Sequence, residues 1–395
     1  MKVLIIQGGP SSNLVTGEEV VINNDIKYLQ SNSVTVAYEK IEVPSSGWHS
    51  LSKTIGGLTW SFSNHKQVKS IIRQHKPDVV HLHTVVPYLS FSAISAARQM
   101  NLPIVQTLHN GRWLCLEGGY FRNDTFCNDC IGGSGWLGVK RGCGHGRIIS
   151  LLLFLNNFIV RRSGVLFKYV SRFIAVSDFV KEQHIKSGFP ENQVTVRNNG
   201  FSATPGLNTS ELSPHREGVV YAGRLSTAKG AKVLRYLIQN LACKISIVGN
   251  GPELISLQEF CSDHQFSHVE FYGRLDNQAT IDIIKRAAVT VVPSQCGDSY
   301  PTTALESLSV GTPIVASNLG GLVDIVNASL GGDLVDYDNN QAFLASIKDL
   351  LDNHEKAKKM GVNGMKYVAE HIEANRQSKA LIRIYNQVME DYKIG

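Results

Sequence analysis

Four ionisable side chains, Arg224, Lys229, Asp298 and Glu306, stand at spacings that suit an anionic ligand rich in hydroxyls. Arg224 and Lys229 belong to Ala222-Gly223-Arg224-Leu225-Ser226-Thr227-Ala228-Lys229-Gly230, directly after an apolar run. Two cations across a small-residue turn can converge on one diphosphate and offset its charge as it leaves. Taken alone, the pair reads equally well as solvated surface cations. The segment PSQCGDSYPTTALESLSVGTPIVAS, residues 293–317, reads as the end of a strand, a loop and a helix that opens near Thr302 and is ended by Gly311 and Pro313. The free amides of Thr302, Thr303 and Ala304 would offer a phosphate both donors and a positive dipole end. Asp298 and Glu306, with seven residues between them, bracket that position. Carboxylates accept paired hydrogen bonds from vicinal hydroxyls, such as those of ribose and hexose. The competing reading is a buried helix whose acid stabilises its own dipole.

Holding these groups requires rigid strands, and the chain supplies them in alternation with helical patterns. KVLIIQ, SVTVAYE, PDVVHLH, PIVQTLH, RFIAVS and VTVRNN precede residue 200; GVVYAGRL, KISIVGN, VEFYGRL, VTVVPS and PIVAS follow it. Continuous apolar strands separated by helix-length segments predict parallel sheets covered on both faces. Residues 202–218 carry two prolines, three serines and two threonines without a strand signal, which marks a linker. The expected fold is therefore α/β: two Rossmann-like doubly wound parallel-sheet domains, 1–200 and 201–373, facing a central cleft. A last helix, about 374–395, is long enough to return to the first domain.

Composition is consistent with a chain that folds throughout. Of its 395 residues 43% are apolar and 18% charged, away from the disordered range. The formal charge of +6, with no run of five like charges, does not imply nucleic acid as a partner. The N-terminal apolar stretch Val3–Ile6 is too short for a signal-peptide core, and no stretch reaches the length of a membrane span. The expected setting is the cytoplasm, with peripheral contact at the cytoplasmic face of the membrane left open. Seven cysteines without an export signal argue against a disulfide framework.

AGRLSTAKG together with DSYPTTALE resembles glycosyltransferase family 4, and the match extends in order over nearly the whole chain. The resemblance implies a GT-B fold, a retaining transfer from a nucleotide-sugar, and no bound metal or other cofactor required for catalysis. It implies that Arg224 and Lys229 hold the donor diphosphate, Glu306 the ribose hydroxyls and Asp298 the transferred sugar. The backbone around Tyr300, Pro301, Thr302 and Thr303 would hold phosphate or sugar oxygens. At the first acid the family usually has glutamate, and this chain has the shorter Asp298. Gly249 in Gly249-Asn250-Gly251-Pro252, and Arg274 and Leu275 after Gly273, resemble the family's base pocket; ordinary strand-to-helix turns are the alternative. Gly8, Gly9 and Gly17 resemble its glycine-rich entry and do not form the G-x-G-x-x-G of a nicotinamide fold. His109 matches a histidine placed at the reaction centre. His81 and His83 alternate on PDVVHLH and are candidates for the acceptor side.

The resemblance favours a UDP-sugar donor and a glycan acceptor, lipid-linked, in surface polysaccharide or lipopolysaccharide assembly. A nucleotide-sugar epimerase of the same fold and a non-catalytic sugar-nucleotide binding protein are the alternatives. A cysteine-rich insert, 111–146, departs from a plain lobe. Cys127 and Cys130 form a C-x-x-C pair flanked by Cys115 and Cys143, which could supply a structural zinc site; free thiols and a disulfide or redox pair also fit. From Lys140 to Lys186 nine Lys or Arg face only Asp178 and Glu182, interleaved with LLLFLNNFIV and VLFKYV. Such a segment suits a surface resting on anionic lipid, or a helix pair with its apolar side in the core.

Overall fold

Val3, Leu4, Ile5 and Ile6 run consecutively without solvent access, a pattern that requires cover on both faces of the sheet they enter. The computed structural model describes residues 1–10, 17–43, 60–144, 146–201 and 216–394; residues 202–215 of the expected linker lie outside them. Contacts divide the chain into two compact units. One comprises Met1–Tyr120, Asn128–Gly200 and Ala374–Gly395, the other Phe121–Cys127 and Phe201–Glu373. Residues 121–127, expected within the insert of the first domain, thus group with the second. They form a short antiparallel hairpin whose Asp124 pairs with Lys232 at 2.8 Å and whose Phe126 meets Tyr337 edge-on.

In chain order the strands are β1 (Lys2–Pro10), β2 (Thr35–Val43), β3 (Val79–His83), β4 (Ile104–Leu108), the hairpin strands β5 (Phe121–Arg122) and β6 (Thr125–Phe126), β7 (Arg172–Ala175) and β8 (Val194–Val196). Then come β9 (Val219–Ala222), β10 (Ile245–Val248), β11 (Val269–Gly273), β12 (Val289–Val292), β13 (Ile314–Ser317) and β14 (Gly332–Val335). The first unit's sheet is ordered β2-β1-β3-β4-β7-β8 and the second's β11-β10-β9-β12-β13-β14. Every pairing within both is parallel. These are the two Rossmann-like doubly wound sheets expected, the GT-B class. Strand order reverses between β1 and β3 in one and between β9 and β12 in the other, and ligands of open α/β sheets bind at such switch points.

Helices cover the sheets through apolar stripes. On the Ala374–Ile394 helix, Leu381, Tyr385 and Val388 recur at helical spacing and pack on Val3, Ile5 and Val105 of the first sheet. Each such side chain contributes about 1.5–3 kcal/mol on burial. In the second unit Leu234, Leu237 and Ile238 of the Ala231–Asn240 helix do the same against Ile245 and Ile247.

Candidate functional site

The two segments with candidate chemistry leave adjacent parallel strands at the second unit's switch point: Arg224 follows β9 and Asp298 follows β12. Lys229 Nζ forms an ion pair with Asp298 Oδ1. Asp298 Oδ2 accepts a hydrogen bond from Ser294 Oγ at 2.6 Å. Burial opposes the charge on Lys229, but the Asp298 carboxylate outweighs it and raises the pKa of the ammonium. The guanidinium of Arg224 is near enough to push the other way. Lys229 is paired with that carboxylate, and Arg224 adds a second positive charge close to Lys229 at the strand ends, which suits an anion.

Backbone contacts fix this loop. The Tyr221 hydroxyl donates to the Arg224 carbonyl at 2.9 Å and lies 3.3 Å from that of Lys229. A Cβ on Gly230, whose φ is 84°, would stand 2.0 Å from the Pro293 carbonyl oxygen, so only glycine lets the two loops touch. Gln295 N–H closes the contact by donating to the Ala228 carbonyl at 2.9 Å.

The Thr302–Ser309 helix starts after Pro301 with no side-chain cap, so its first amides are available to a ligand or water. Thr303 Oγ1 donates to the Ala222 carbonyl at 3.1 Å and ties that first turn to the end of β9. The Tyr300 side chain is buried, its hydroxyl 3.5 Å from that of Tyr367. Burial raises the Glu306 carboxyl to about 7, against the pull of an Asn277 Nδ2 donor at 3.1 Å.

Sequence reasoning missed Ser294, Asn277 and a second uncapped helix start. The Gly321–Ser329 helix follows Gly320, and a Cβ on Gly320 or Gly321 would come within 2.5 or 2.1 Å of the carbonyl oxygens of Asp298 or Ser299. Gly321 N–H donates to the Asp298 carbonyl at 2.7 Å. The paired glycines after the strand PIVAS were the signal that could have found it.

The glycines expected to admit a base have another cause. A Cβ on Gly249 would lie 1.8 Å from the Gly223 carbonyl oxygen, and one on Gly251 would lie 2.1 Å from that of Leu225. Both therefore let the 249–251 loop pack on the Arg224 loop, where Leu225 N–H donates to the Asn250 carbonyl at 3.0 Å. Gly249 N–H donates to the Gly273 carbonyl at 2.7 Å, which sets Arg274 and Leu275 on the neighbouring strand end.

In the first unit His109 follows β4, and its Nε2 lies 2.7 Å from His83 Nδ1. It lines a small pocket with Thr84, Gln106, Asn110 and Arg112. Glu18, one residue after Gly17, accepts from Thr84 Oγ1 at 2.5 Å and Asn110 Nδ2 at 3.3 Å, joining the ends of β3 and β4. His81 and His83, expected on the acceptor side, are instead fully buried. His81 has both ring nitrogens engaged, Nδ1 with the Tyr385 hydroxyl and Nε2 with Thr107 Oγ1, each at 2.7 Å. Both faces of this strand are covered, so every position along it, these two included, lies inside. Among the entry glycines, Gly8 has the steric need: its Cβ would meet Thr84, Tyr88 and Leu89 at 2.8 Å. Gly9 meets only the flexible end of Lys40, and Gly17 meets nothing within 4 Å.

Among the described residues no group of three or more His, Cys, Asp or Glu is placed to hold a metal ion. Cys115, Cys127, Cys130 and Cys143 do not converge as the tetrahedral set considered above. Burial pushes the Cys115 thiol up to about 11.

Family models match both halves of the chain: "Glycosyltransferase Family 4" over residues 36–204 and "Glycosyl transferases group 1" over residues 208–367. A protein of Methanocaldococcus jannaschii described as an uncharacterized glycosyltransferase is 23% identical over 341 residues, 84% of this chain and 82% of that one. The phosphatidyl-myo-inositol mannosyltransferase of Mycolicibacterium smegmatis is 25% identical over 312 residues, 76% of this chain and 69% of that one. HepE of Anabaena, solved in complex with UDP, superposes with a TM-score of 0.66 at 15% identity, covering 98% of this chain and all of that one.

Proposed function

Because this chain belongs to the family-4, group 1 type of glycosyltransferases, we propose that it is a retaining enzyme moving a hexose from UDP to a hydroxyl of a glycan acceptor. The observation that carries the reading is the excess positive charge of Arg224 and Lys229 over Asp298, beside the uncapped start of the Thr302–Ser309 helix. In this reading the second unit is the donor side. Arg224, Lys229 and the amides of Thr302 and Thr303 take the diphosphate, and Glu306 takes the ribose hydroxyls. The loops at Gly249 and at Arg274-Leu275 lie beside the base. Asp298 takes a sugar hydroxyl, exchanging its bond with Lys229 as phosphate arrives. The first unit is the acceptor side, with Gly9, Gly17 and His109 serving the donor hexose.

The bond from the anomeric carbon to the diphosphate oxygen breaks, and the acceptor oxygen bonds to that carbon on the same face. The acceptor proton passes to the departing phosphate oxygen, so atoms and charge balance without a separate carboxylate base. Side chains and helix amides aimed at that oxygen stabilise its growing charge.

UDP is favoured by HepE, which was solved with it. A lipid-linked acceptor is favoured by the mannosyltransferase relative, whose name includes a phosphatidylinositol; surface polysaccharide assembly and contact with the cytoplasmic face of a membrane follow from the family resemblance. The test is thermal stability against UDP, GDP, ADP and TDP, with Arg224→Ala as control. A rise with UDP that the variant lacks is expected, since a ligand selective for the folded state raises its melting temperature. No rise with any nucleotide would favour a non-catalytic role, and an epimer formed from donor alone would favour an epimerase.

A further inference from the structure

The Arg147–Arg162 helix carries apolar side chains on both faces. Ser150, Leu153, Asn156, Asn157 and Val160 are buried, whereas Ile148, Leu151, Leu155, Phe158 and Ile159 are exposed, Ile148 at 76% and Ile159 at 58%. At 100° per residue those five span an arc of about 100°, a full apolar stripe. The opposite face is anchored by polar bonds. Asn157 Nδ2 donates to the Arg112 carbonyl at 2.6 Å and Arg161 Nη1 to the Trp113 carbonyl at 3.0 Å. Rotation of the stripe into the core would break both. Trp136 and Leu137 of the neighbouring Trp136–Arg141 helix are also exposed, and the Trp136 ring packs edge-on against Phe154.

Charge says what covers this face. Residues 131–177 contain seven Lys or Arg and no Asp or Glu. Arg141 pairs with Asp129, Arg172 with Asp391, and Arg161 is held by carbonyls. Lys140, Arg147, Arg162 and Lys168 are exposed and form no ion pair among the described residues. The helix has 16 residues, and no described helix is long and apolar enough to cross a membrane. A stripe of this width with a tryptophan at its side and cations at its ends suits a helix lying in the plane of a bilayer, with its cations among anionic headgroups.

We propose that the exposed face of the Arg147–Arg162 helix, with Trp136 and Leu137, is a docking surface for an anionic phospholipid bilayer. It rests on the reading of contact with a membrane, to which it adds the surface and the lipid charge, and it is tested without the transfer reaction. The full chain is floated with phosphatidylcholine vesicles containing phosphatidylglycerol, and with phosphatidylcholine alone, with no donor present. Wild type is expected to bind the anionic vesicles in a salt-sensitive way. The double variant Ile148→Glu/Ile159→Glu should weaken binding at least about tenfold. Lys140→Ala/Arg147→Ala should lower binding to anionic vesicles and leave the phosphatidylcholine background unchanged. All four positions are exposed, and an unchanged melting temperature verifies folding. Absence of wild-type binding would overturn the proposal. So would vesicle binding that survives the glutamates, or a dimer in sedimentation that the glutamates dissociate, which would make a second copy the partner.

Discussion

In the first unit Asp25, His81 and Arg197 are buried within the fold, whereas in the second unit Arg224, Lys229 and Asp298 come only after β9 and β12 have ended. Arg197 grips the Asp25 carboxylate with both terminal nitrogens and donates through Nε to the Gln377 carbonyl at 3.2 Å, tying β8 to the C-terminal helix. Its charges are matched inside the fold, so they hold elements together. Those of the second unit are mismatched at an open strand end, so they can hold a ligand. Deleting charge should therefore cost stability in one unit and ligand affinity in the other.

The largest effect is expected from Asp25→Ala, which leaves the Arg197 guanidinium buried with no counter-charge. The loss is about 3–5 kcal/mol of unfolding free energy, read by denaturant titration. Nucleotide binding, scored below the new melting point, should be unchanged. A cost under about 1 kcal/mol would mean that this pair holds nothing together.

Arg224→Ala should do the reverse. Removing one preorganised charge from a developing phosphate costs about a hundredfold in kcat, on the order of 3 kcal/mol, with the melting temperature of the ligand-free protein unchanged or slightly raised because Lys229 loses a like-charged neighbour. Full turnover in this variant would move the diphosphate elsewhere.

This contrast also explains what could be read beforehand. Strands such as Val289–Val292, their glycine and proline stops, and the acid pair of residues 298 and 306 are local signals, so the segments that make the second unit's candidate site were legible in outline. Asp25 and Arg197 are 172 positions apart, and His81 and Tyr385 are 304 apart. No local pattern distinguishes a histidine with such a partner from one at a surface. Gly249 and Gly251 were read as room for a base because tight backbone packing and ligand access ask for the same residue. Ser294 and Asn277 carry no spacing signal at all.

Smaller effects separate the units by pH. The Glu306 carboxyl, raised by burial from 4.5 to about 7, binds a proton in the folded state that the unfolded chain releases. Stability from this group is present below pH 4.5 and falls as pH rises to about 7. His81 and His83 are lowered well below 6.5, first by burial, so their contribution has the opposite sign and is lost as pH falls below 6.5. Glu306→Gln should accordingly raise stability at pH 8 by on the order of 2 kcal/mol, allowing for screening at a partly exposed side chain. Wild-type affinity for UDP should increase from pH 6 to 8 as the carboxylate becomes available to ribose hydroxyls, and calorimetry in buffers of different ionisation enthalpy should show proton release. A flat affinity profile would remove Glu306 from the nucleotide site.

The finest comparison deletes the same atom in each unit. Tyr385→Phe removes the hydroxyl 2.7 Å from His81 Nδ1 and leaves that buried nitrogen without its partner, at a cost of about 1–2 kcal/mol in stability; UDP affinity should not move. Tyr221→Phe removes the hydroxyl that donates to the Arg224 carbonyl. That carbonyl belongs to an exposed residue and can turn to water, so the stability cost should be smaller, about 0.5–1 kcal/mol. The loop carrying Arg224 and Lys229 is then less ordered, and the ordering must be supplied on binding, so Kd for UDP should rise about three- to tenfold. Equal stability losses with no change in Kd would mean that the second unit positions its cations without this hydroxyl, and that the division between a fold-holding and a ligand-holding unit stops at the charged groups.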